Sequence, residues 1–140
     1  MSTCLLTIAY DGTAYAGWQR QVGETTVQQR LEEAFATIFG ERVVVEGAGR
    51  TDAGVHALAQ GAHVVLPRPF VVPQLVPALN GNLPDDISVR AVRTAPAGFH
   101  ARFCAIGKRY VYRCVVSRVR PAIGRGLPPS NRTSIAFGIW

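Results

Sequence analysis

Residues 4–40 read CLLTIAYDGTAYAGWQRQVGETTVQQRLEEAFATIFG, and this stretch decides the fold. Its first part, Cys4 to Tyr10, is apolar and β-prone, and Asp11-Gly12 closes it with turn chemistry. A Gly- and Gln-rich loop follows, Thr13 to Glu24. The period then changes. Val27, Leu31, Ala34, Phe35 and Ile38 recur at helical spacing and Gly40 ends the run. Thr25 or Thr26 is placed to cap this helix, with Gln29 in the capping-box position after Thr26.

Outward from this stretch, Arg42 to Glu46 reads as a second strand and Gly47 to Gly54 as a loop of small residues. Ala62 to Leu66 reads as a third strand, bounded by Pro67 and Pro69. Pro73 starts a short helix through Leu79, and Asn80-Gly81 breaks it. Ile87 to Val92 alternates as a strand, and Lys108 to Val116 alternates again with Tyr110, Tyr112 and Cys114 on one face. The order is strand, helix, strand, strand, helix, strand, then a further strand. It predicts an α+β fold of the ferredoxin-like, split βαβ kind: an antiparallel sheet with its helices on one face. That scaffold commonly binds RNA, but a scaffold alone does not give function. Residues 1–120 are expected to form this α/β unit. Residues 121–140, PAIGRGLPPSNRTSIAFGIW, show no clear periodicity and are expected to be a divergent or truncated tail.

With 140 residues, 48% hydrophobic and 17% charged, the chain has the size and composition of one globular domain and not of a disordered segment. The net charge of +6 is unevenly spread. All acids lie at or before Asp86; beyond it stand Arg90, Arg93, Arg102, Lys108, Arg109, Arg113, Arg118, Arg120, Arg125 and Arg132. This asymmetry fits a polyanion-binding face built by the second half, and equally a basic protein from an Arg-rich proteome. Cys4, Cys104 and Cys114 lack metal-ligand spacing, and their odd number argues against a disulfide scaffold. They are expected to be small buried residues of a cytoplasmic protein. No apolar run reaches the ~18 residues of a membrane span, and the start lacks a basic signal-peptide region.

The segment Gly47 to Gln60, GAGRTDAGVHALAQ, carries the chemistry. It is a glycine-framed loop presenting one cation, Arg50, and one carboxylate, Asp52. A neighbouring guanidinium favours an ionised carboxylate, which can act as nucleophile or base. A surface loop with an ordinary ion pair fits the same pattern. His56, His63 and His100 are not arranged as metal ligands; His56 is expected to support the loop and His63 to be a strand residue. Trp18 fits a base-stacking ring or an anchored loop aromatic. Gln19, Gln21 and Gln28 fit RNA contacts or partners for loop backbone, and Asp11 and Asp86 read as turn residues.

Gly47–Ala57 resembles the active-site segment of the TruA-type tRNA pseudouridine synthases. Tyr10-Asp11-Gly12-Thr13, Gly17-Trp18-Gln19 and Thr26-Val27-Gln28 resemble that family's opening. Leu79-Asn80, Leu83-Pro84 and Asp86-Ile87 resemble its middle. Phe99-His100-Ala101-Arg102-Phe103 and Lys108-Arg109-Tyr110-Val111-Tyr112 resemble the end of its first half. The resemblance implies isomerisation of uridine to pseudouridine in the anticodon stem-loop of tRNA, by a homodimer that uses no metal or cofactor. It makes Asp52 the catalytic aspartate and Arg50 the arginine that pairs with it and helps hold the flipped nucleotide. It makes Tyr110 the ring packed on the target base and places Arg102 in a basic segment near the site. Family members continue for about as many residues again. The likeness fades after Arg125-Gly126, so a truncated N-terminal half is expected, with exposed strand edges and poor solubility. A catalytically impaired remnant and a non-catalytic RNA-binding module are the alternatives.

Overall fold

Residues 2–105, together with the strand backbone at 107–114 and 132–139, are described by a computed structural model. The first strand, β1 (Ser2–Tyr10), buries Cys4, Leu6, Ile8 and Tyr10 on one face, the alternation a pleated strand imposes. A single 3₁₀ turn, Gly12–Ala14, and an irregular loop lead to the first helix, α1 (Val27–Phe39). Thr26 is its N-cap, accepting from the Gln29 amide, and Gly40 ends it in the left-handed region. The Gln29 side chain reaches forward to Glu33, so only half of a capping box forms. Val27, Leu31, Ala34, Phe35 and Phe39 are buried along α1, each large side chain worth roughly 2 kcal/mol of burial.

The strand expected at Arg42–Glu46 does not form; β2 is only Glu46–Gly47. The reason lies on α1. The Val45 amide donates to the Glu32 carboxylate and the Val45 carbonyl accepts from the Gln28 side chain. Val43 and Val45 are buried, but the backbone groups of Val45 go to helix side chains and not to a ladder. The third strand is longer than expected: β3 runs from His56 to Leu66. Then follow α2 (Val72–Asn80) with Pro73 in its first turn, β4 (Ile87–Ala95), β5 (Gly107–Cys114) and β6 (Arg132–Ile139).

β1 lies between β4 and β3, and β2 pairs with the outer edge of β3, all three pairings antiparallel. This is the ferredoxin-like α+β arrangement. Both helices cover the same face, where Leu31, Phe35, Leu75 and Leu79 join Cys4, Leu6, Ile8, Val64, Leu66 and Val89 in one core. The outer edge of β3 is shared. β2 pairs at Ala62–His63, while β6 runs parallel at His56–Ala59 and brings β5 alongside. So the stretch without periodicity, 121–140, does contain a strand. The loop between β2 and β3 leaves the sheet where that edge is divided. Among the described residues no helix is long and apolar enough to cross a membrane.

Candidate active site

The loop 48–55 is fixed at both ends and in its middle. Ala48 donates to the Gly61 carbonyl at 2.8 Å, and the Gln60 side chain donates to the Gly49 carbonyl. Thr51 is buried, its hydroxyl 2.6 Å from that of Tyr10, and its carbonyl accepts from the Trp18 amide at 3.0 Å. Asp52 opens a turn closed by the Val55 amide on the Asp52 carbonyl at 3.1 Å, and the Gly54 amide bonds the Tyr15 carbonyl at 3.3 Å. The strap 10–18 therefore presses along the whole loop.

That contact requires glycine twice. A Cβ on Gly17 would sit 2.5 Å from the Thr51 carbonyl oxygen, and Gly17 has φ +94°. A Cβ on Gly12 would lie 1.9 Å from the Val55 carbonyl oxygen. The Gly12 amide also donates to Nδ1 of His56 at 3.0 Å, so His56 does support the loop. Asp11 caps the 3₁₀ turn: the Thr13 hydroxyl, and then the Thr13 amide, hold its carboxyl below the usual range. Asp86 accepts from the Tyr15 hydroxyl; burial, and then this bond, raise the Tyr15 pKa. Trp18 is buried, 6.1 Å from the Tyr10 ring, and Gly47 packs on its edge. It is an anchor of the loop.

With Thr51 pinned, its neighbours Arg50 and Asp52 are both exposed. Arg50 lines a groove of about 910 Å³ with Arg20, Arg42 and Arg102, and with the carboxylates of Glu32 and Glu46; Asp52 does not line it. Among the described residues Arg50 and Asp52 make no ion pair, contrary to the sequence expectation. Arg50 stands on the groove side of Thr51, whereas Asp52 belongs to the turn beyond it.

Arg20 and Arg42 were not singled out by their pattern, and neither was buried Glu32. Glu32 binds Arg20 and the Val45 amide together. One turn earlier, Gln28 accepts from the Arg20 amide at 2.8 Å and donates to the Val45 carbonyl at 2.8 Å. The two side chains hold the groove's walls in place. Gln28 and Gln21 thus serve loop backbone, the latter by donating to the Ala16 carbonyl. Among the described residues, three of the four arginines lining the groove come from the part of the chain up to Asp86, which holds all the acids.

Arg102 is exposed beside buried Ala101, whose amide donates to Nδ1 of His63 at 3.0 Å. His63 is a strand residue as expected, and burial, then the charge of nearby His100, lower its pKa. Cys4 is buried, while Cys104 is exposed and not the buried residue the composition suggested. The Tyr110 side chain, with those of Lys108, Arg109 and Cys114, lies outside the described residues. Its backbone position is informative: Tyr110 pairs with Ala136, and Ala136 pairs with Ala57. Tyr110 and Ala57 thus share a row two strand spacings apart, about 10 Å. Among the described residues no His, Cys, Asp or Glu cluster is built for a metal ion.

A family model described as tRNA pseudouridine synthase matches residues 6–104. A tRNA pseudouridine synthase A of Oleidesulfovibrio alaskensis is 48% identical over 127 residues, covering 84% of this chain and 46% of that protein. Those of Solidesulfovibrio magneticus and Shigella boydii are 51% and 46% identical, over 80% and 84% of this chain and 42% and 44% of theirs. The chain spans about half the length of the curated relatives it matches. The matched residues take in the second half of β1, the strap, the Asp52 loop and the Arg102 segment, and by them the chain belongs to the tRNA pseudouridine synthase family.

Proposed function

We propose that this chain carries the Asp52-bearing half of an isomerase that converts uridine to pseudouridine in the anticodon stem-loop of tRNA. The observation that carries the reading is the placement of Asp52. Asp52 is exposed on a turn braced from behind by Tyr10, Gly12, Tyr15 and Trp18, and the chain leads from it through buried Thr51 to Arg50, which lines a groove with Arg20, Arg42 and Arg102. These arginines draw the phosphates of the substrate, and the planar guanidinium of Arg50 contacts phosphate or fills the space that an extruded nucleotide leaves. Taking the base out of its stack costs a few kcal/mol, and stacking on a ring such as Tyr110 returns ~1–3 kcal/mol. Arg102 adds a fourth phosphate contact. The homodimer and the cytoplasmic setting implied by the resemblance belong to the same proposal.

The reaction breaks the N1–C1′ bond, turns the uracil and forms a C5–C1′ bond. The hydrogen on C5 leaves to water and N1 gains one, so no oxidant or reductant is needed. Asp52 can attack the sugar, attack the base or take a sugar proton; each route uses the carboxylate directly. Tritium release from tRNA labelled at uracil C5 tests the proposal. Release by the chain that disappears in Asp52→Ala is the expected result. Salt-sensitive tRNA binding without release would instead mark a non-catalytic binding module. Neither binding nor release would mark an impaired remnant.

A further inference from the structure

The segment that carries Arg102 has an unusual set of backbone partners. The His100 amide donates to the Cys104 sulfur at 3.4 Å, and the Ala101 amide to His63 Nδ1 at 3.0 Å. The Arg102 and Phe103 amides both point at Nδ1 of His100, at 3.2 and 3.4 Å. Four successive amides thus end on side chains that titrate. An imidazole nitrogen accepts a hydrogen bond only while it carries no proton. His63 must therefore be neutral at Nδ1, with its hydrogen on Nε2. The His63 and His100 rings lie 4.4 Å apart. The groups facing His63 are His100 and Phe99 of this segment, Glu46 of β2, and Leu5 of β1. Glu46 also lies 3.8 Å from His100 Nε2; it is exposed, and its charge raises the His63 pKa against the larger lowering by burial and His100.

We infer that His63 is a positioning residue: its neutral Nδ1 latches the Ala101 amide to the sheet and so presents Arg102 to the groove, and protonation opens the latch. The hydrogen that protonation adds to Nδ1 faces the hydrogen of the Ala101 amide, and the bond becomes a repulsion. With the latch open, Arg102 is held less firmly at the groove. The part of this inference that concerns RNA rests on the proposed function; the latch itself does not.

Amide exchange of Ala101, followed by NMR on the 140-residue chain from about pH 8 to about pH 5, tests the latch. After correction for intrinsic exchange, protection of the Ala101 amide should fall in step with the titration of the His63 ring. His63→Asn places a non-titrating carbonyl oxygen near the Nδ1 position and should keep protection throughout. His63→Gln places its oxygen near Nε2 and should lack protection at every pH. Protection that stays constant while His63 titrates would overturn the latch, as would identical behaviour of the two variants. The wild-type titration decides the matter even where a variant fails to fold. Binding of an anticodon stem-loop RNA is measured over the same pH range for the wild type and Arg102→Ala. A steeper acid loss in the wild type is expected. If Arg102→Ala binds as tightly as wild type at neutral pH, the RNA role of Arg102 falls, and the exchange result still stands or fails alone.

Discussion

The turn that carries Asp52 and the segment that carries Arg102 are both short loops presenting one charge, but they are mounted in opposite ways. The Asp52 turn rests on carbonyl oxygens, a pair of hydroxyls and two close glycine contacts, with a single imidazole, His56, at its far end. The Arg102 segment has backbone bonds at its ends, from the Phe99 amide to the Pro96 carbonyl and from the Cys104 amide to the His100 carbonyl. Its four amides from His100 to Phe103, however, end on two imidazoles and a thiol. The first mount is rigid, and the bonds nearest Asp52 are made by backbone groups and hydroxyls. The second is soft and sensitive to acid. A carboxylate that must meet a reacting atom needs placement to a fraction of an ångström, whereas a phosphate-binding arginine tolerates looser mounting.

The largest expected effect tests the rigid mount. Gly17→Ala should cost roughly 3 kcal/mol of stability, because the methyl meets the Thr51 carbonyl and the backbone sits where side chains are strained. Denaturant unfolding measures it, and a cost below about 1 kcal/mol would show that the strap gives way easily. Next comes the hydroxyl pair. Tyr10→Phe removes the hydroxyl beside Thr51 in a buried site and should cost about 1–2 kcal/mol. If the turn is a positioning device, this variant should also lower the tritium-release rate at saturating tRNA while leaving tRNA affinity near wild type.

The soft mount is probed by pH. The folded pKa of His63 lies below its ordinary value, so the unfolded chain binds the proton more tightly. Its contribution is complete above about pH 6.5 and is lost as pH falls through the lowered value, with a slope of at most about 1.4 kcal/mol per pH unit. Unfolding midpoints measured for wild type and His63→Asn should separate in this window, the variant showing the weaker dependence. The smallest effect is expected at the exposed thiol. Cys104→Ala removes a weak acceptor from the His100 amide and should change stability by less than about 0.5 kcal/mol.

Much of this fold was legible in the residues. Thr26, the apolar repeat from Val27 to Ile38 and Gly40 mark α1 with its caps, because those signals are local. The strand misread at Arg42–Glu46 shows where local reasoning stops. Val43 and Val45 have strand-like alternation, but the partners of Val45 sit on a helix 13 and 17 residues earlier. The start of β3 was missed because Ala57-Leu58-Ala59-Gln60-Gly61 holds no β-branched residue; its pairing with β1 makes it a strand. In the site, the glycine-framed carboxylate of Asp52 stands out as a local pattern. Arg20 and Arg42 do not, since only the folded chain brings them to one rim. The Arg50–Asp52 pair was inferred from spacing of two residues, and the buried Thr51 between them separates their surroundings. The imidazole mount of Arg102 joins residues 38 apart and has no signature in sequence.

If the carboxylate of Asp52 reacts and the turn only holds it, the charge and not the shape of the side chain is what the reaction needs. Asp52→Asn keeps the shape and exposure of the side chain and removes its charge. The decisive measurement is tritium release by this variant at saturating tRNA, from uridine labelled at C5. A fall of at least about 10²-fold, with tRNA binding and unfolding midpoint unchanged, is the predicted result. Release within about threefold of the wild-type rate would contradict the assignment.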